Sequence, residues 1–359
     1  MLTTLLSRSP GLRKALVVTS HRGAERQSTL FVHHQLQVAG LRPFRFAPRA
    51  VAGEPSSSSA DEGAQLLRRV GADIIVALGG SAVLDLGKAM AHLTSRPLVA
   101  VPTVPCGGAE TRSHARLFDW DANAVIDLDN VKPRHVVHDD ALSTMDAVDW
   151  PTVASTTAFT VFHAALCANA NPQWGASPEV RNWVNAATRA LSSKNKAEAL
   201  AAGMALSRDL GLQPWSETLH EALASAVASR VPLARSLVFN TLFEPCLEMR
   251  VQTDAAAEER MAVFFGARLW RPEVRSLSVV GGVPEAGLEG LGVGRQDLIT
   301  TAPGHDALSV RDEYEECAAL TLARYRGHER LPSEQRLVDV LAFQRRNVAP
   351  PSLYNKHNV

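Results

Sequence analysis

Short apolar runs alternate with helix-like stretches through the first 150 residues. Ala15 to Thr19 (ALVVT) predicts a strand, and Arg26 to Ala39 a helix closed by Gly40. Phe44 to Phe46 reads as a short second strand. A Ser-rich loop, Gly53 to Ser59, leads into a helix over Ala60 to Val70, stopped by Gly71. The unbroken apolar run Asp73 to Leu78 (DIIVAL) predicts a strand covered on both faces. A helix over Val83 to Leu93 and a strand over Pro97 to Val101 follow, then weaker strands near Ala124 to Leu128 and His135 to His138. Strand and helix in alternation predict a parallel sheet with crossover helices.

From Pro151 the pattern changes: Ala, Leu, Arg and Glu dominate and β-branched clusters fade. Helices are expected over Val153 to Ala170, Pro178 to Leu191, Lys196 to Leu210, Ser216 to Ala228, Leu233 to Arg250 and Asp254 to Gly266. Two more are expected at Asp312 to Arg326 and Ser333 to Arg346, before a Pro-rich polar end. The reading is therefore an α/β domain over 1–150 and an all-helical domain over 151–359, with an extension from about residue 306. A chain of 359 residues is also long for one core, which agrees with two domains.

Charge removes some function classes. With 37 basic and 37 acidic residues, no global field collects nucleic acid or an anionic membrane. Four dispersed cysteines without a CxxC pair argue against a disulfide framework or a structural zinc site, and for a reducing, cytoplasmic setting. No apolar run reaches the roughly 20 residues of a membrane span. Arg8, Arg13 and Arg22 with several Ser and Thr give the first 24 residues a faint transit-peptide character, which the strand starting there outweighs.

Candidate chemistry sits in two loops. In ALGGSAVLDLGKAMA, a buried strand ends at Gly79, Gly80 and Ser81, and a helix carries Asp85 and Lys88. Small residues there let backbone N–H groups approach a phosphate, aided by the helix dipole. The plainer alternatives are a tight turn and a solvated Lys88. The second loop, PTVPCGGAETR from Pro102 to Arg112, also follows a buried strand. Ligands of open α/β folds bind beyond the carboxyl ends of such strands.

These segments resemble the iron-containing alcohol dehydrogenase superfamily, including its maleylacetate reductase branch. GGSAVLDLGK resembles the family's GGGSxxDxxK, and PTVPCGGAE its PTTxGTGSE, in the same order. ALVVTS, HVVHDDAL and the stretch Gly282 to Leu298 add to the likeness, which spans about residues 12 to 305. The resemblance implies a Rossmann-like parallel sheet followed by a helical domain, the dehydroquinate synthase-like/iron-containing alcohol dehydrogenase fold. It implies NAD(P)H in the cleft between the domains and a homodimer acting on a small molecule. Gly79, Gly80 and Ser81 would cradle the pyrophosphate; Thr103, Asp85 and Lys88 would contact the cofactor; Ser20 would approach the adenosine side.

The family binds a divalent metal through an Asp, a His four residues later, and two further histidines. Here the first pair falls on Phe159 and His163, and the last His on Leu233. His220 serves only with a one-residue gap. Two imidazoles and two hydrocarbon side chains cannot hold a hard cation, so no catalytic metal is expected. A metal-independent, NAD(P)-dependent reductase of a small carbonyl or keto acid, like maleylacetate reductase, is the first reading. It needs another group to stabilise the alkoxide. His163 is the first candidate, against a core histidine satisfied by backbone. His220 is the second; Glu221, its neighbour, points elsewhere on a helix and need not act with it. Arg112, His114 and Arg235 are candidates for a substrate carboxylate, with Phe159 and Leu233 lining the pocket. The alternative is a biosynthetic lyase, isomerase or cyclase using a metal-free, more apolar cleft.

Overall fold

The computed structural model describes residues 2–7, 9, 11–48, 55–119, 121, 124–145, 148–213, 218–228, 233–252, 254–266 and 270–284. The expected helices at Asp312 to Arg326 and Ser333 to Arg346, and most of Gly282 to Leu298, lie outside the described residues.

The chain opens with α1 (Leu2–Ser7), β1 (Lys14–Val18), α2 (Gln27–Val38), β2 (Arg42–Phe46) and α3 (Ser57–Val70). It continues through β3 (Ile74–Gly79), α4 (Ser81–Thr94), β4 (Leu98–Pro102), β5 (Ala115–Asp119), β6 (Ala124–Leu128), β7 (His135–Val136) and α5 (Asp140–Met145). From there every described element is a helix: α6 (Trp150–Ala170), α7 (Pro172–Gly175), α8 (Pro178–Ser192), α9 (Lys196–Leu210), α10 (Leu219–Ala228), α11 (Arg235–Val251), α12 (Ala255–Phe265) and α13 (Trp270–Val280).

The main sheet is parallel and runs β2-β1-β3-β4-β7. Successive strand residues point to opposite faces, and both faces are buried. Leu16, Val18, Ile75, Ala77 and Ala100 pack on the side of α3, α4 and the later helices. Ala15, Val17, Ile74, Val76 and Val99 pack on the side of Val32 and Leu36 of α2. Coverage on both sides explains why β1, β3 and β4 are continuous apolar runs without alternation. In register, Val18 pairs with Ala77 and Gly79 with Pro102, so the carboxyl ends of β1, β3 and β4 form one edge.

Several elements differ from the expectation. Leu2 and Leu6 bury themselves beside α2, so the N-terminal segment is a short helix built into the second face of the sheet. β5 pairs antiparallel with β6, and its Arg116 is only 2% exposed. That buried cation interrupts the apolar signal that marks the other strands. α13 buries Trp270, Val274 and Leu277, a 3.6-period stripe hidden among Arg and Ser. Among the described residues no helix is long and apolar enough to cross a membrane.

Candidate active site

α4 begins directly at the carboxyl edge of β3. Its N-cap, Gly80, makes no side-chain cap, whereas Ser56, Asp149, Ser177, Asn195 and Asp254 cap α3, α6, α8, α9 and α12. The first amides of α4 are thus left for a ligand. A Cβ on Gly79 would come within 3.0 Å of the Val83 side chain, so the strand can turn into the helix this tightly only with glycine. Thr103 is buried on the neighbouring strand end, its amide donating to the Gly79 carbonyl at 3.2 Å. Ser20, after β1, is exposed, and its hydroxyl accepts from Gly23 N–H. Ser20, Gly79, Gly80, Ser81 and Thr103 therefore share one edge of the sheet.

Asp85 and Lys88 lie deeper. Lys88 is fully buried, which removes the reading of a solvated helix residue. Its ammonium donates to the His114 carbonyl at 2.8 Å and pairs with Asp85 at 3.4 Å. Burial lowers the Lys88 pKa from its ordinary value, and Asp85 offsets part of that. Asp85 also accepts from Arg235 of α11 at 3.0 Å, a bond across 150 residues of sequence. Arg235 thus joins the sheet to the later helices. His114 is half-buried, and burial followed by the nearby Arg112, Lys88 and Arg116 pushes its pKa down to about 2.

The loop from Pro102 to Arg112 connects this edge to a second group of residues. Ser207 of α9 fixes it: its hydroxyl accepts from Cys106 N–H at 3.1 Å and Gly108 N–H at 2.9 Å and donates to Glu110 at 2.8 Å. Burial raises the Glu110 carboxyl above its ordinary value, with the Ser207 hydrogen bond and the Arg112 and Lys88 charges opposing. Cys106 is also buried, and burial lifts its thiol well above the ordinary range, so it is no activated nucleophile.

At the loop's end Arg112 meets His163 of α6 and Glu221 of α10. Arg112 Nη1 lies 3.5 Å from both His163 Nε2 and Glu221 Oε1, and His163 Nε2 is hydrogen-bonded to Glu221 Oε1. All three are less than a tenth exposed. The other Glu221 oxygen, Oε2, accepts from the Thr218 amide at 3.2 Å, while the Thr218 hydroxyl accepts from the Glu221 amide. This reciprocal pair is a capping box that starts α10 and locks the carboxylate in place. Burial opposes ionisation of Glu221, but His163, Arg112 and Arg116 outweigh it and hold the carboxyl well below its usual range. Burial lowers His163, with Glu221 partly opposing and Arg112 adding to the fall.

A carboxylate on Nε2 assigns the proton of neutral His163 to that nitrogen. Nδ1 is then the acceptor, and it has no hydrogen-bond partner. It faces the turn at Gly107, where φ is +60° and a Cβ would stand 2.7 Å from Nδ1. Glycine serves there twice, for the left-handed backbone and for the space.

His220, one residue from Glu221, turns away. Its Nε2 donates to the Phe239 carbonyl at 2.8 Å and its ring stacks on Phe239 at 4.0 Å. Burial drives its pKa down to about 3. The core histidine held by backbone is thus His220, through Nε2 alone, while His163 is the one held by charge. Phe159 is 3% exposed and packs its edge against His163 and Phe239; Leu233 is half-buried at the core's margin.

Ser207 is the site residue the sequence reading missed, and Glu221 was read there beside His220, not as the partner of His163. The T-x-x-E spacing from Thr218 to Glu221 was a usable sign for the helix start, though it could not show that Oε1 reaches α6. Nothing in the sequence singles out Ser207.

A divalent cation fits poorly at His163. Its one carboxylate neighbour among the described residues is already shared with Arg112 and the helix cap, Phe159 offers no ligand atom, and a permanent guanidinium charge stands 3.5 Å from Nε2.

The fold and site define a parallel α/β sheet whose second loop delivers an arginine to a histidine on a following helical layer. Residues 2–140 match the family described as iron-containing alcohol dehydrogenase. Among solved structures, the chain is similar to the alcohol dehydrogenase from Oenococcus oeni, at 14% identity and TM-score 0.77, covering 95% of this chain and 96% of that one. It is similar to the maleylacetate reductase from Agrobacterium tumefaciens at 18% identity and TM-score 0.65, covering 95% and 92%. The maleylacetate reductase from Rhizobium sp. strain MTP-10005 gives 19% identity and TM-score 0.64, again covering 95% and 92%. No curated protein matches the chain in sequence. The superfamily resemblance carried by GGSAVLDLGK and PTVPCGGAE is borne out, and the fold is the one these structures share.

Proposed function

We propose that the chain is an oxidoreductase that interconverts a small carbonyl or keto acid and its alcohol with a nicotinamide dinucleotide, and that it does so without a divalent metal. The observation that carries this reading is the buried group of Arg112, His163 and Glu221. A dihydronicotinamide held beside the Gly79 to Ser81 turn would supply the hydride for the carbonyl carbon. The chain must then hold the oxygen as negative charge develops on it and deliver a proton. Arg112 brings a permanent positive charge within 3.5 Å of His163, the position that the resemblance gives to the family's first metal-binding histidine. His163 Nδ1, the nitrogen left without a partner, passes the proton to the oxygen in reduction and takes it in oxidation. Glu221 fixes the tautomer and favours the protonated imidazole. The uncapped first amides of α4, the small residues Gly79, Gly80 and Ser81 and the Thr103 side chain would receive the pyrophosphate.

The test is a fluorescence titration of purified protein with NADH and NADPH, with metal content measured in the same sample. Saturable binding by metal-free protein supports the reading. Absence of dinucleotide binding would favour the non-redox alternative, for which Ser81, Ala82 and Val104 speak by standing where the family has Gly, Ser and Thr. Stoichiometric metal would refute metal independence.

A further inference from the structure

At the opposite, amino edge of the sheet, a cleft of 380 Å³ opens beside the start of β4. One wall is a face of α4 at Lys88, Ala91 and His92 with Ser95 just past its end; the other is the segment Asn130 to Arg134. Positions 88, 91 and 92 are spaced three and four apart on α4, so they share one face. Among the lining residues are Lys88, His92, Arg96, Lys132 and Arg134, and no carboxylate.

Lys88 is neutralised by Asp85. Arg96, Lys132 and Arg134 are different: all three are exposed, and none makes an ion pair or side-chain hydrogen bond among the described residues. Asp73, which Arg96 influences only through charge, is already bound by the Arg13 and Lys14 amides at 2.8 and 2.9 Å. In a chain whose 37 basic and 37 acidic residues cancel, three cations without an ion pair among the described residues around one concavity create a local positive field. The volume lies within the roughly 300–1,000 Å³ usual for small-molecule sites.

We propose that this cleft binds a small phosphate-bearing anion, with Arg96, Lys132 and Arg134 as its contacts. Two arginines match the paired oxygens of a phosphate, and Lys132 adds a point charge. A diphosphate suits the three cations better than a single carboxylate. The cationic groups converge on a concavity and form no extended stripe, which disfavours nucleic acid. The site is separate from the Gly79 to Ser81 edge, so its failure leaves the proposed oxidoreductase intact.

Isothermal titration of the full-length protein with inorganic pyrophosphate tests the proposal. The variants Lys132→Ala and Arg134→Ala are each expected to weaken binding on the order of tenfold, with NADH binding and melting temperature unchanged. Ser81→Asp, which places a negative charge at the dinucleotide edge, is expected to leave pyrophosphate binding intact. The proposal is overturned if wild-type protein takes up no pyrophosphate. It is equally overturned if Lys132→Ala and Arg134→Ala bind as wild type does, if Ser81→Asp abolishes binding, or if a short DNA duplex binds as tightly as pyrophosphate.

Discussion

The Glu221 carboxylate hydrogen-bonds His163 with one oxygen and caps its own helix with the other. A single side chain therefore couples the placement of α10 to the orientation of the imidazole on α6. Replacing Glu221 by Gln keeps an acceptor and the shape but removes the charge. Catalytic turnover is expected to fall about a hundredfold or more, the scale of a mispositioned general acid–base. Glu221 raises the His163 pKa against burial, so its loss lowers that value further. The acidic limb of alcohol oxidation, where His163 must be neutral to accept a proton, is expected to move to lower pH. A pH profile of kcat/KM checks this, and a limb that stays in place would reduce Glu221 to a helix cap.

Arg112 and Glu221 also form a buried charge pair, and removing one partner strands the other. Arg112→Gln is expected to destabilise the protein by about 3 kcal/mol, the lower end for a broken buried pair, because Arg116 still stands by Glu221. Glu221→Gln introduced into that variant is expected to cost less than Glu221→Gln alone. Denaturant unfolding of the four proteins gives the coupling; strict additivity would mean that the two side chains do not interact.

Gly107→Ala places a methyl against His163 Nδ1 on a residue with φ of +60°. The left-handed backbone alone costs roughly 1 kcal/mol. Turnover is expected to drop while NADH affinity holds, since the displaced atom belongs to the proton path. A change in cofactor affinity with unaltered turnover would contradict the assignment of Nδ1.

His220 predicts an acid limb for stability. Its pKa lies at about 3 when folded, against 6.5 ordinarily. Between those values the unfolded chain binds the proton better, so the stability present above pH 6.5 is lost as pH falls through the window. The slope is at most about 1.4 kcal/mol per pH unit for this one group. His220→Phe, which keeps the stacking on Phe239, is expected to flatten melting temperature against pH below 6 or so. An unchanged acid limb would show that His220 does not titrate with unfolding.

The sheet was legible because β1, β3 and β4 are buried on both faces and must be apolar throughout. β5 was not, because its buried Arg116 bonds Asp127 at 3.0 Å and Ser225 at 2.8 Å, satisfactions that exist only once the hairpin and α10 have come together. The same reasoning applies to the site. Gly79, Gly80 and Thr103 could be placed at the sheet edge from local pattern alone. Arg112 was visible as a cation after the loop, but its partners arrive from α6 and α10, 51 and 109 residues away. Asp85, Lys88 and Arg235 read as three candidate ligand contacts, yet together they form a buried chain of charges linking α4 to α11.

The central claim is that Arg112, His163 and Glu221 do the work that a metal does in iron-containing alcohol dehydrogenases. Chelator-treated, metal-free protein should therefore oxidise NADH or NADPH in the presence of a small keto acid at the same rate before and after zinc or ferrous iron is added. Loss of turnover on chelation, restored by either metal, would contradict it.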